Sequence, residues 1–263
     1  MATVVQTLDI GRVVTRGFDV LIRNAGAFLL VSIVLAGIPT YAMQYWLYSS
    51  ALSVPADPNV IFTAMFWMPF LLSTLVSIVT SALLQAILIR SAILHLSGRP
   101  ADVGGSIAAS AGLILPIIGL SILLGVIVMF GLILLIVPGV IFYLMFIVAA
   151  PALVGERCGV IESLSRSAAL TSGSRLMIFL MVVAFIIFSW IFGAATGAIS
   201  GVSVMVTGTN ELGLPGAGAL ALTGAVQGTI TTLIAAAMVA ALYIELRTIK
   251  EGATTDGLAE VFA

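Results

Sequence analysis

The chain is predicted to be an all-α, polytopic integral membrane bundle: six transmembrane helices in three hairpins, with cytoplasmic amphipathic lead-in helices. Three observations predict it. Only 8% of the 263 residues are charged and 61% are hydrophobic, whereas a soluble domain is about one-quarter charged. The mean hydropathy is +1.27, so a bilayer must be the solvent for most of the chain. The charged residues also fall in short clusters separated by long uncharged runs.

Those runs are 24–56, 58–89, 103–155, 176–210 and 212–244. A helix needs about 20 residues to span the hydrocarbon core. Four runs therefore hold one crossing each, and the 53-residue run 103–155 holds two. The expected spans are Ala25–Trp46, Phe62–Ile89, Ile107–Phe130, Val137–Leu153, Leu176–Ile199 and Ala217–Ile244. The turn within the long run is expected near Gly131 or at Val137-Pro138-Gly139, because glycine permits positive φ and proline disfavours helix before it. A re-entrant pair that dips into the membrane and returns is the alternative for that run.

Orientation follows from the loops. Segments 1–24, 90–106, 154–175 and 245–263 carry Arg12, Arg16, Arg23, Arg90, Arg99, Arg157, Arg166, Arg175, Arg247 and Lys250. The alternate loops near 47–61 and 200–216 carry no basic residue, only Asp57 and Glu211. The positive-inside rule then places both termini in the cytoplasm. It also requires an even number of passages in the 103–155 run. No cleavable signal peptide is expected, because the first 23 residues are charged and the first apolar run has full spanning length.

Two cytoplasmic segments have the period of amphipathic helices. Ile10, Val13, Val14, Gly17, Phe18 and Leu21 share a stripe, with Arg12, Arg16, Asp19 and Arg23 on the other face. Ile161, Leu164, Ala168 and Thr171 line one side of the second, opposite Glu162, Ser165 and Arg166. Both are read either as helices lying in the headgroup layer or as flanks that only set topology. In the first reading Arg12, Arg16, Arg23, Arg157, Arg166 and Arg175 are candidates for lipid headgroup contact, each contributing about 1 kcal/mol near anionic lipid. Ile10 precedes Phe28 by 18 residues and Ile161 precedes Phe179 by the same interval, which suggests a repeated lead-in and span. Asp102 to Ile107 forms a shorter lead-in.

Candidate contacts within the bilayer come from small and polar residues. Gly193, Gly197 and Gly201 form a small-residue line on helix five, Ser73, Ser77 and Ser81 one on helix two, and Gly224 with Gly228 a shorter one on helix six. Such lines let helix backbones approach closely. They serve packing within the bundle or a homodimer through helix five. No charged residue lies at mid-depth in any expected span, which argues against an ion-coupled carrier. Gln85 and Gln227 remain as an intramembrane polar site, with Thr223, Thr229, Thr231 and Thr232. Pro69 and Pro116 are positioned to kink helices two and three.

Composition excludes several other classes. The net charge of −1 leaves no basic stripe for nucleic acid. Cys158 and His95 are too few for a tetrahedral metal site, and Cys158 has no internal disulfide partner. No cofactor motif occurs. A catalytic set would need His95, which sits between Arg90 and Arg99 and reads as an interfacial polar residue. Glu156, Glu162, Glu245 and Glu251 read as ion-pair partners of the nearby arginines. Membrane lipid is therefore the expected partner.

From Gly131 to Arg175 the chain resembles a known family. Leu134-Leu135-Ile136-Val137-Pro138-Gly139-Val140 leads through Ala149-Ala150-Pro151-Ala152-Leu153 to Ile161-Glu162-Ser163-Leu164-Ser165-Arg166-Ser167 and then Leu170-Thr171-Ser172-Gly173. This is similar to the bacterial membrane-domain family named after glycerophosphoryl diester phosphodiesterase, and to the YciC-like proteins. Leu242-Tyr243-Ile244-Glu245-Leu246-Arg247 with Lys250-Glu251-Gly252 resembles that family's end. The specific motif covers about 50 residues. It departs at Ser163, where alanine is usual, and before Gly173, where a basic residue is common. In fused members a separate soluble domain hydrolyses the phosphodiester, and no soluble stretch here exceeds about 24 residues. The resemblance implies a membrane module without that activity. The expected function is thus non-enzymatic, in envelope or lipid organisation or partner binding. The alternative is a transporter or channel for a small uncharged or amphiphilic substrate, and an intramembrane enzyme built on His95 is a distant third.

Overall fold

A computed structural model describes residues 8–23, 25–52, 68, 80, 84–91, 94, 112–207 and 217–252. Every regular element among them is helical. In chain order they are α1 (Ile10–Arg23), α2 (Ala25–Ser32), a π-helical turn (Ile33–Gly37), α3 (Ile38–Leu52), α4 (Ile114–Leu134), α5 (Ile136–Phe146), α6 (Ala149–Glu156), α7 (Val160–Thr171), α8 (Arg175–Thr207) and α9 (Ala217–Glu251). Residues 84–91 are also helical.

Four stretches are long and apolar enough to cross a membrane: Ala25–Ser49, Ile136–Glu156, Arg175–Ala198 and Gly218–Glu251. Only 11% of the most apolar window of α8 is buried. A water-soluble protein does not expose apolar surface on that scale, so the pattern is consistent with a membrane protein. The second expected span, with Ser73, Ser77, Ser81 and Pro69, lies almost wholly outside the described residues, as do His95, Asp57 and Glu211.

The described chain falls into two compact units, 1–28 with 82–185 and 234–263, and 29–81 with 186–233. In the first, α1 buries Val13, Gly17, Val20 and Leu21 and meets α9 at Gly17. A Cβ on Gly17 would sit 3.2 Å from Met238 Sδ and 3.6 Å from the Ala237 carbonyl, so glycine sets how closely α1 approaches. Asp9 caps α1, its Oδ1 accepting from Gly11 N at 2.9 Å, a favourable place for a carboxylate. The amphipathic period is therefore as expected, but half of the stripe meets protein. Phe18 and Ile22 remain exposed.

The 103–155 run departs from expectation in three places. Helix α4 begins at Ile114 and continues to Leu134, so Pro116 occupies its first turn and kinks nothing. The reversal is at Leu135, between the two positions expected for it, with extended φ −168° and ψ 147°. Gly131 and Gly139 face each other across it, and a Cβ on Gly131 would stand 2.8 Å from Gly139 Cα. The fourth span is not one helix. It breaks at Ile147–Val148, because Pro151 has no N–H for the Ile147 carbonyl and its ring crowds that group. The Met145 carbonyl near the break accepts from the Ser167 and Thr171 hydroxyls of α7, at 2.9 and 3.2 Å.

In the second unit, Pro39 has a similar effect on the first span. It cannot donate to the Leu35 carbonyl, and residues 33–37 widen so that Ile38 N–H bonds Ile33 O.

Candidate functional site

The densest polar constellation belongs to the first unit and is built on α9. Glu245, with its side chain only 4% exposed, meets two arginines of α1. Arg12 and Arg16 are one turn apart and so share a face. Arg12 Nε lies 3.0 Å from Glu245 Oε1, and Arg16 Nη1 donates to Oε2 at 2.6 Å. The Gly17 contact brings them there.

A second knot joins α6, α7 and α9. Glu156, the last residue of α6, accepts from Arg166 Nε at 2.9 and 2.8 Å, one bond to each oxygen, and from the buried Tyr243 hydroxyl at 2.9 Å. Arg166 also pairs with Glu251, which accepts from Arg247 Nε at 2.7 Å. Of the four carboxylates expected to form ion pairs, Glu156, Glu245 and Glu251 do so, whereas Glu162 has no ion pair among the described residues. Charge-assisted bonds of this kind are shorter and stronger than neutral ones. Chemically the arrangement clamps helices together. Among the described residues no group of three His, Cys, Asp or Glu is placed to hold a metal ion.

The headgroup candidates thus divide. Arg12, Arg16 and Arg166 are engaged by glutamates. Among the described residues Arg23 reaches the exposed Asp19 of its own helix, at 2.9 Å. Arg157 ends α6 in the left-handed region, φ 49°, and is exposed. Arg175 is half-buried, its Nε without a hydrogen-bond partner among the described residues. Next to Arg157, Cys158 donates to the Ala152 carbonyl at 3.6 Å. Its thiol is pushed above the usual range by burial first and then by the charges of Glu156 and Glu162.

A neutral polar seam runs through the second unit. Gln227 of α9 accepts from Thr196 Oγ1 of α8 at 3.2 Å and lies against Gly193, whose absent Cβ would be 2.6 Å from Gln227 Nε2. Gln44 of α3 occupies the space beside Gly224. Thr229 Oγ1 fills that beside Gly37, 3.2 Å from where a Cβ would stand. Ser32 and Thr229 are buried, and their hydroxyl oxygens lack hydrogen-bond partners among the described residues. Each glycine line therefore contributes one close approach, since Gly197 and Gly228 have open space. No side-chain description extends to Gly201. Gln85, in the first unit, is half-buried. Gln44, Ser32 and Tyr243 were not predicted. The signals were present: Pro39 two residues after Gly37, and a tyrosine two residues before a glutamate at the end of an apolar run.

Gly193→Leu should destabilise the folded protein by about 1–3 kcal/mol, since the added side chain must displace Gln227. Gly197→Leu should leave stability unchanged. Thermal unfolding of the two variants in the same detergent checks this contrast.

The chain matches no protein-family model, no curated protein and no solved structure.

Proposed function

We propose that the chain is a polytopic protein of a bacterial inner membrane, with three membrane-inserted hairpins and both termini in the cytoplasm. It acts without catalysis, organising lipid or holding a partner at the cytoplasmic face. The resemblance of Gly131–Arg175 to the phosphodiesterase-associated membrane domains agrees with a module of this kind.

One observation carries the lipid reading. With Val13, Gly17, Val20 and Leu21 turned toward the protein, α1 still exposes Phe18 and, at 72%, Ile22, beside the exposed Arg23. An apolar edge next to a guanidinium suits the boundary between acyl chains and anionic headgroups. Because Arg12 and Arg16 are held by Glu245, the lipid-facing set is Phe18, Ile22 and Arg23. The triple variant Phe18→Ser, Ile22→Ser, Arg23→Gln should retain several-fold less phosphatidylglycerol than the parent protein in native mass spectrometry. Equal retention would refute the reading.

The seam gives specific support to a second reading, passage of a small uncharged solute. Buried hydroxyls without partners among the described residues, as at Ser32 and Thr229, are costly in an apolar interior unless something polar meets them. A water-filled path there would make a Thr229→Cys thiol reactive toward small charged reagents, and a packed seam would leave it inert.

A further inference from the structure

The hairpin of α4 and α5 turns inside an unbroken apolar stretch. From Val126 to Phe142 there is no polar side chain. The loops expected on the far side are quite different: Ser49, Ser50, Ser53 and Asp57 in one, Thr207, Thr209, Asn210 and Glu211 in the other. The hairpin tip is also bare. Ile133, Leu134 and Ile136 are each 73% exposed, and Leu135 and Val137 nearly as much. A shallow groove of about 390 Å³ beside the tip, between Val126 and Phe142, is lined only by apolar residues and glycine. Five consecutive large aliphatic residues projecting into water would be a severe liability.

The backbone at the turn is suited to a place without water. Leu135 N–H donates to Gly131 O at 3.1 Å, and its carbonyl accepts from Gly139 N at 3.4 Å. Pro138, in the first turn of α5, has no N–H to satisfy. In hydrocarbon every backbone polar group must be paired internally, and the reversal residue meets that demand.

Depth follows from what α5 touches at its other end. The Met145 carbonyl is held by Ser167 and Thr171 of α7, the amphipathic helix assigned to the cytoplasmic interface. From Met145 to Leu135 is ten residues, about 15 Å of helix at the usual rise. The hydrocarbon core is about 30 Å thick. Beyond the break, Ala149–Gly155 is packed within the unit, and all but Ala150 is buried.

We propose that the α4–α5 hairpin is re-entrant: it turns within the hydrocarbon, and its tip Ile133–Val137 is covered by lipid acyl chains. The inference rests on the membrane topology proposed above, and the test separates the two. In the full-length Cys158→Ser protein, single cysteines are placed at Asp57, Glu211 and Leu134. Proteoliposomes in which the cytoplasmic face is inside are treated with a membrane-impermeant maleimide. Asp57→Cys and Glu211→Cys should label from outside. Leu134→Cys should label at least about tenfold more slowly from either side until detergent is added, as expected of a group in hydrocarbon. A bimane on Leu134→Cys should be quenched more by a mid-chain doxyl lipid than by a headgroup-proximal one. Labelling of Leu134→Cys at the rate of Asp57→Cys would overturn the re-entrant turn. Protection without lipid quenching would overturn acyl-chain cover and indicate a protein partner. Failure of both loop cysteines to label would overturn the topology alone, and the quenching depth would still decide the tip.

Discussion

Changing Arg12 and Arg16 together to glutamine should release α1 from α9. Both guanidiniums converge on one carboxylate, and the Glu245 side chain is 4% exposed. Removing both partners leaves a buried charge without compensation. For a fully buried pair that costs about 3–5 kcal/mol. Here the arginine side chains are 46% and 38% exposed, so water already screens part of the interaction. We expect about 2–3 kcal/mol. Glu245→Gln should cost less, about 1 kcal/mol, because the arginines can turn to water while the amide keeps the volume. Adding Glu245→Gln to the double arginine variant should therefore restore part of the lost stability. Thermal unfolding, with proteolysis near α1 as a local readout, checks the ordering. A double variant as stable as the parent would show that the pair is ornamental and that Gly17 packing alone docks the helix.

Glu156→Ala should be the most damaging single change in the second knot. The carboxylate accepts two bonds from Arg166 and one from Tyr243, and Tyr243 is fully buried. The variant strands a buried phenol and half of the Arg166 contacts, at an expected cost of about 3 kcal/mol. Tyr243→Phe removes only one neutral donor and leaves Glu156 paired with Arg166, so about 1 kcal/mol is expected. Unfolding in detergent should thus rank Glu156→Ala well below Tyr243→Phe. Equal losses would mean that the tyrosine bond, and not the ion pair with Arg166, carries the contribution of Glu156.

Much of this architecture was legible in the chain, and the reasons are physical. Charges cannot remain in hydrocarbon, so uncharged runs mark where helices enter a bilayer. The two short amphipathic segments are helical at Ile10–Arg23 and Val160–Thr171, and they were legible because their period is local. Partners were not legible in the same way. Arg16 and Glu245 are 229 residues apart, and several arginines compete for a few glutamates at the same expected face. Only packing, here the glycine at 17, selects the pair. The apolar stripe of α1 shows the same limit. Periodicity identifies a face, but it does not say that Val13 meets protein while Ile22 does not.

The proline effects were partly missed for a related reason. Pro116 looks like a kink in a helix assumed to start at Ile107. It is harmless in one that starts at Ile114. Pro151 lies inside the span expected at Val137–Leu153, yet it divides that span. Pro39 went unnoticed within an apolar run, although it widens the helix where Thr229 packs. A proline's effect depends on where the helix begins, which is the least local property of a helix.

The central claim is that the chain inserts as hairpins whose ends all lie on one side of the membrane. Fusions of alkaline phosphatase and green fluorescent protein after residues 57, 211 and 263 test it most directly. Phosphatase should be active at 57 and 211 only, and fluorescence should appear at 263 only. Phosphatase activity at 263, or fluorescence at 57 or 211, would contradict the account.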